Sequence, residues 1–440
     1  MADQPERPGL PEPSARGRPG ARPYPETVRE RGPRRFSYAV LALLVLPLVT
    51  LAIAGYVFLS PSGKAESTPV AIGSLKGGFH PVAGSFKPDG TVLGKCGDTD
   101  YICLEQGFGN ISYRQGPTVA LALYTKRMAT DKGVFVDCHR IAHSIGSGAF
   151  ARFHGNVAKA FSLGSSVCAS GYYHGILERA FVGITTKAGL ERVARRLCLA
   201  ETIRPRSYLD YQCQHGLGHG LMIESGYDLP LALSVCSKLA NGWDHIVCTS
   251  GAFMENINTR YGFRSPYVKD SDPLYPCATV GLVDRRSCYV RSTSRVLDLN
   301  HYDFPKTAAT CAGLARPWAR YCFRGFGRDS VNQAHYKPAV ILSLCGLAKG
   351  YEPDCLFGAA RTVGDGFGYA GVVRAAALCR RAPAASRSGC FGGVGLELGL
   401  LMPTNARRTE ACGRLAGGYA ATCTREAIAE VQPDGRQAWG

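Results

Sequence analysis

Residues 339–367 read AVILSLCGLAKGYEPDCLFGAARTVGDGF, and this stretch decides the fold. Apolar residues at helical spacing run through AVILSLCGLA, KGYEPD breaks the pattern, and CLFGAARTVGDGF opens a second helix. Cys345 stands late in the first helix and Cys355 early in the second, so a disulfide between them would clamp the hairpin across its turn. The chain then repeats the figure. VVRAAALCRRA, PAASRSG and CFGGVGLELGLLM give helix, turn and helix again, and RRTEACGRLA, GGYAAT and CTREAIAEV give it once more.

Working outward, the same pairing appears as Cys198/Cys213, Cys236/Cys248, Cys277/Cys288, Cys311/Cys322, Cys379/Cys390 and Cys412/Cys423, the second members recurring at a nearly constant interval. Cys138/Cys168 and Cys96/Cys103 complete nine pairs from 18 cysteines. An even count at a regular interval reads as a disulfide framework formed in an oxidising compartment, and the wide separation within each repeat's pair does not suit a CxxC zinc site. Each clamp contributes roughly 2–4 kcal/mol by the loop-entropy argument. Helix pairs that recur with a period of about 34 residues are the mark of an α-solenoid. The expectation is therefore an all-α chain: a histidine-rich helical region over residues 96–197, cysteine-paired helical repeats over 198–430, and a flexible end at 431–440.

Over residues 198–430 the pattern of Ala377, Cys379, Cys390 and Gly393 resembles secreted, cysteine-rich bacterial members of the tetratricopeptide-like repeat class, in which a disulfide joins the two helices of a repeat. The resemblance implies architecture only. The Pro and Trp-Leu-Gly signals of the ordinary tetratricopeptide repeat are absent, so no function carries over.

The N-terminus points to the same compartment. Residues 1–35 are rich in Pro, Gly and Arg and cannot bury enough apolar surface to offset chain entropy, which predicts a disordered tail. Residues 36–59, FSYAVLALLVLPLVTLAIAGYVFL, hold 24 positions without a charge, enough for a helix across a hydrocarbon core about 30 Å thick. Arg29, Arg31, Arg34 and Arg35 precede this segment and only Lys64 follows closely, so the positive-inside rule places the N-terminus in the cytoplasm. The expectation is a single-pass cell-membrane protein, with residues 60–95 a linker and everything beyond extracytoplasmic. A cleaved signal peptide ending near Ala65 is the alternative, but a signal's apolar region is typically about 7–15 residues and this one is longer.

The tail carries eight Arg against five acids, so +14 of the formal +17 lies beyond it. A basic exterior domain favours anionic partners. No aromatic-interleaved basic motif singles out nucleic acid.

Aligning the repeats on their second cysteine exposes two columns. Three residues on stand Gly171, Gly216, Gly251, Gly325, Gly358 and Gly393, broken by Arg291 after Cys288. Glycine inside a helix costs about 1 kcal/mol relative to alanine, so the column predicts close approach of a neighbouring backbone. Six residues on stand His174, His219, Met254, Ser294, Arg328, Arg361 and Leu396. Equivalent positions share one stripe of a solenoid; a concave-facing stripe would be rich in imidazole at one end and in guanidinium at the other.

The histidines carry the strongest chemical hint. DCHRIAHSIG sets His139 and His143 four apart on one helix face, and CQHGLGHGLM does the same with His215 and His219. His174, in CASGYYHGILE, adds a fifth imidazole with Glu178 one turn on. Facing helices that each supply ligands make a bundle-type metal site, and imidazole suits Zn, Cu, Fe or Ni. Glu178, Glu224 and Glu255 are candidates to orient the ligands or act as acid or base. Gly216, Gly218 and Gly220 suggest room for a ligand to reach the backbone. Thiolate ligation by Cys138, Cys168 or Cys213 competes with their disulfide pairing. The alternative to a metal site is an interaction scaffold that grips an anionic peptide, glycan or lipid headgroup, or a protein partner, through Arg328 and Arg361. A metal-free His–Glu enzyme is the third reading. GxSxG, HExxH, phosphate-loop and dinucleotide motifs are absent, and Asn110-Ile111-Ser112 is a bare glycosylation match.

Overall fold

A computed structural model of the chain describes residues 86–429, apart from residues 166, 169, 185, 202, 205, 206 and 258–263. The expected tail, the apolar segment at 36–59, most of the linker and the C-terminal end lie outside the described residues. In chain order the helices are α1 (Tyr101–Gln115), α2 (Pro117–Met128), α3 (Lys132–Val136), α4 (Cys138–Arg152), α5 (Val157–Phe161), α6 (Gly171–Ala180), α7 (Lys187–Leu197), α8 (Ser207–Glu224), α9 (Leu229–Cys236), α10 (Gly242–Asn256), α11 (Leu282–Leu299), α12 (Phe304–Ala312), α13 (Arg316–Gln333), α14 (Pro338–Cys345), α15 (Glu352–Asp365), α16 (Gly368–Arg381), α17 (Arg387–Leu401), α18 (Asn405–Ala416) and α19 (Ala420–Ala429). No strand occurs among the described residues. None of the described helices is long and apolar enough to cross a membrane.

Two sets of helices emerge. α1, α4, α6, α8, α10, α11, α13, α15, α17 and α19 form an inner row in which each packs on the next. α9, α12, α14, α16 and α18 lie against their own hairpin partners. Their starts are written locally. Asp228 accepts from the Leu231 amide, Asp303 from Lys306 and Thr404 from Arg407, satisfying amides that have no partner within the helix. Pro230 and Pro305 sit in the first turn, where the missing N–H costs nothing.

All nine disulfides pair as their spacing implied, from Cys96–Cys103 and Cys138–Cys168 through Cys198–Cys213, Cys236–Cys248, Cys277–Cys288, Cys311–Cys322, Cys345–Cys355 and Cys379–Cys390 to Cys412–Cys423. Three depart from the hairpin clamp, the first being Cys96–Cys103, a short loop at the start of α1. Cys138 opens α4 and Cys168 precedes α6, so their bond ties successive inner helices. Cys277 stands outside any helix because Pro273 and Pro276 flank it and cannot continue one.

The glycine column is a packing device. A Cβ on Gly251 would lie 1.9 Å from the His215 carbonyl oxygen, and one on Gly358 would lie 1.9 Å from that of Arg324. Side chains cannot fit there, so at those positions glycine lets an inner helix settle on the one before it. A second column escaped the sequence reading: at Gly218, Gly327 and Gly395, five residues after the cysteine, a Cβ would meet the carbonyl of Cys248, Cys355 or Cys423 on the following helix at 2.1, 1.8 and 2.1 Å. This corrects the reading of HGLGHG. Gly216 faces Leu177, Gly218 faces Cys248 and Gly220 faces the Leu177 carbonyl, so helices rather than a ligand occupy the space.

The row curls back on itself. α17 returns to α8, where Leu396 and Leu400 join Tyr211, Trp243, Ile246 and Phe357 in one buried apolar cluster. The Phe135 and His335 rings approach to 6.0 Å. Between the inner helices, with α2 and α3 on one side, opens a cavity of about 1060 Å³. Asn110 is buried and bonds Asp89, so it is no glycan acceptor as folded.

Candidate metal centre

Three successive inner helices bring the five histidines together. His139 and His143 come from α4, His174 from α6, and His215 and His219 from α8, while α10 contributes Glu255. The glycines set the spacing. A Cβ on Gly171 would meet the His139 carbonyl at 2.5 Å and one on Gly175 the His143 carbonyl at 1.9 Å, so α4 and α6 are in backbone contact where their imidazoles project.

Ring centroids lie 4.6 Å apart for His139/His143, 5.4 Å for His139/His174, 5.5 Å for His143/His174, 4.9 Å for His174/His215 and His174/His219, and 6.0 Å for His143/His219. His143, His174, His215 and His219 are buried. Potential ligand atoms of His139, His143 and His174 fall within 4.8 Å of one another, as do those of His174, His215 and His219. Glu178, His219 and Glu255 form a third such group.

Hydrogen bonds set the tautomers. The Cys168 carbonyl can only accept, so His139 Nδ1 donates to it at 3.0 Å. By the same logic His143 Nδ1 donates to Glu178 Oε1 at 2.5 Å and His219 Nδ1 to Glu255 Oε2 at 2.9 Å, and the Tyr227 hydroxyl donates to the other Glu255 oxygen at 2.6 Å. His174 Nε2 donates to Gln212 Oε1 at 3.3 Å. Lone pairs remain on Nε2 of His139, His143 and His219 and on Nδ1 of His174. His219 Nε2, His174 Nδ1 and His215 Nδ1 are buried without a partner. His139 Nε2 and His143 Nε2 face each other at 3.0 Å. Two lone pairs that close repel unless a cation lies between them. Two imidazoles on one tetrahedral zinc, at 2.0–2.1 Å each, would have their nitrogens about 3.3 Å apart.

At His139, His174 and His215 the electrostatics suit neutral imidazoles. Burial, with neighbouring His143, holds His139 well below the usual imidazole value; burial does the same to His174, with His219 and His215, and to His215, with Arg291 and His219. Burial pushes the Glu178 carboxyl up, but contact with His143 overrides it and leaves the group well below its ordinary range. In the same way the hydrogen bond from His219 outweighs burial at Glu255 and lowers it. Imidazoles that donate to carboxylates are the arrangement that orients metal ligands and raises their basicity.

Of the other anticipated residues, Glu224 is half-buried, its carboxyl pushed up by burial, and it belongs to none of the converging groups. His219, Met254, Ser294, Arg328 and Arg361 of the six-on column line the cavity. Arg328 is engaged by Asp329 at 2.8 Å and by Ser294 at 2.6 Å, and Arg361 donates to the Tyr211 hydroxyl at 2.6 Å. Sequence reasoning missed Gln212, Tyr227 and Arg291. For Arg291 a signal existed, because it interrupts the glycine column between Gly251 and Gly325. No protein family model, curated protein or solved structure matches this chain. The site's chemistry has to be read from its geometry.

Proposed function

We propose that this protein binds a transition metal ion through His139, His143, His174, His215 and His219, with Glu178 and Glu255 orienting the rings. The observation that supports it is the convergence of five imidazoles in one cluster, where His174 Nδ1, His215 Nδ1 and His219 Nε2 are buried without a partner and His139 Nε2 and His143 Nε2 face each other at 3.0 Å. Burying an unsatisfied polar atom costs about 1–3 kcal/mol, and several in one place are hard to account for unless something binds them. An all-imidazole set backed by carboxylates fits Zn, Cu, Fe or Ni better than the oxygen-preferring Mg or Ca. The centre sits, in this reading, in the extracytoplasmic part of a cell-membrane protein anchored by residues 36–59 with its N-terminus in the cytoplasm.

Elemental analysis of full-length protein purified without chelator tests the reading. At least one equivalent of a transition metal is expected, and His215→Ala with His219→Ala should remove it while all nine disulfides still form. Absence of bound metal after loading with each of the four ions would sink the proposal.

A further inference from the structure

Arg291 replaces glycine in the packing column of α11 and is 8 % exposed. Its side chain has one hydrogen bond, Nε to Ser250 Oγ at 2.9 Å, and no carboxylate contacts it among the described residues. Burial, despite nearby Tyr211, pushes it down to about 10, so it is still a cation at neutral pH. Every other arginine that borders the cavity has a close partner. Arg140 pairs with Glu105, Arg295 with Asp270, Arg324 with Asp354, Arg328 with Asp329, and Arg361 bonds and stacks on Tyr211. A buried guanidinium without an anion is among the costlier things a fold can contain.

The surroundings of Arg291 say what would relieve it. It shares one electrostatic neighbourhood with Arg361, Asp365 and His215. Asp365 is the one acid in that group, and burial pushes its carboxyl up, weakening it as a counter-charge. Tyr211 connects the group to the imidazoles: its ring stacks on His215 at 5.8 Å with planes 7° apart, and its hydroxyl holds Arg361. Around the same cavity run the apolar side chains of Phe135, Val136, Met254 and Phe357. A space of about 1060 Å³ accommodates a drug-sized molecule.

We infer that the cavity binds a small organic anion, its oxyanion head held between Arg291 and Arg361 beside Tyr211 and its apolar body lying along the Phe135, Met254 and Phe357 side. A guanidinium presents a planar fork that matches carboxylate or phosphate oxygens two at a time, which an amine would not. The site goes beyond the metal reading, since none of its groups is one of the five ligating nitrogens, and it stands with the metal present or removed.

Calorimetric titration of the full-length, chelator-treated protein tests it with four probes: benzoate, phenyl phosphate, benzyl alcohol and inorganic phosphate. Benzoate or phenyl phosphate should bind, the tighter of the two identifying the head group. Benzyl alcohol should not, and inorganic phosphate should bind more weakly than its phenyl ester. Arg291→Gln should lower affinity by about tenfold or more, and Arg291→Lys by less, because charge survives and the fork does not. Arg361→Gln provides the same reading if Arg291→Gln fails to fold. Equal binding of benzyl alcohol and benzoate, no binding of either anion, or unchanged affinity in the Gln variants would overturn the inference. Metal content of the untreated samples is scored separately, so loss of one reading leaves the other standing.

Discussion

At the scale of single residues, what matters at the centre is which nitrogen keeps its lone pair. Nδ1 is spent on a carbonyl or carboxylate in His139, His143 and His219, and Nε2 on an amide oxygen in His174. The histidines held below the ordinary imidazole value also make stability depend on pH. The unfolded chain protonates them near 6.5, whereas the folded metal-free protein resists, so below 6.5 the unfolded state binds more protons and stability falls as pH falls. Each such group costs up to about 1.4 kcal/mol per pH unit in that window. Denaturant titrations of chelator-treated protein at pH 7.5, 6.5 and 5.5 should show little change over the first interval and a clear drop over the second. His139→Gln, His174→Gln and His215→Gln combined should flatten the drop, and an unaltered drop would refute the assignment. The histidine set was legible because i,i+4 spacing survives in sequence. Glu178 and Glu255 as partners of particular rings were not, since each contact joins one repeat to the next across a full period of the chain.

Secondary elements position these residues through contacts that tolerate no side chain. The repeat rhythm, the hairpins and the disulfide pairs follow from local signals: caps, breakers and cysteine spacing. The glycines carry both local and long-range meaning, which is why HGLGHG suggested a ligand while the space belongs to neighbouring helices. Gly175 makes the point testable. A methyl there would lie 1.9 Å from the His143 carbonyl and must push α6 off α4. Overpacking of this kind costs about 1–3 kcal/mol. Gly175→Ala should therefore lower the melting temperature and weaken metal retention about tenfold or more without altering any ligand. Gly413→Ala in α18, where a Cβ meets nothing within 4 Å, should leave metal retention unchanged and stabilise the fold by about 0.5–1 kcal/mol. Equal metal retention in the two variants would show that the α4–α6 contact does not set the site.

At the scale of the whole molecule, closure turns a linear stack into one coupled body. Sequence reading alone treats each repeat as touching its neighbours, because solenoid contacts are nearest-neighbour. That locality fails here for a specific reason: Leu396 and Leu400 on α17 reach Tyr211 and Trp243, several repeats away in the chain, by curvature that no single repeat encodes. Opening the Cys379–Cys390 clamp, which lies between α16 and α17, should therefore loosen more than its own hairpin. α17 bears on α15, on α19 and on α8, and α8 carries His215 and His219. Hydrogen exchange on Cys379→Ser with Cys390→Ser should show lost protection in residues 387–401, in both flanking inner helices, and also in 207–224. Residues 101–115, which pack on α4 away from the junction, should keep theirs. Opening of the Cys96–Cys103 clamp serves as the contrast, because that bond lies at the start of α1 and should release only the N-terminal turns. Protection lost only around 368–401, with 207–224 unchanged, would mean that the closing contact carries no coupling and that the centre is insulated from the C-terminal repeats.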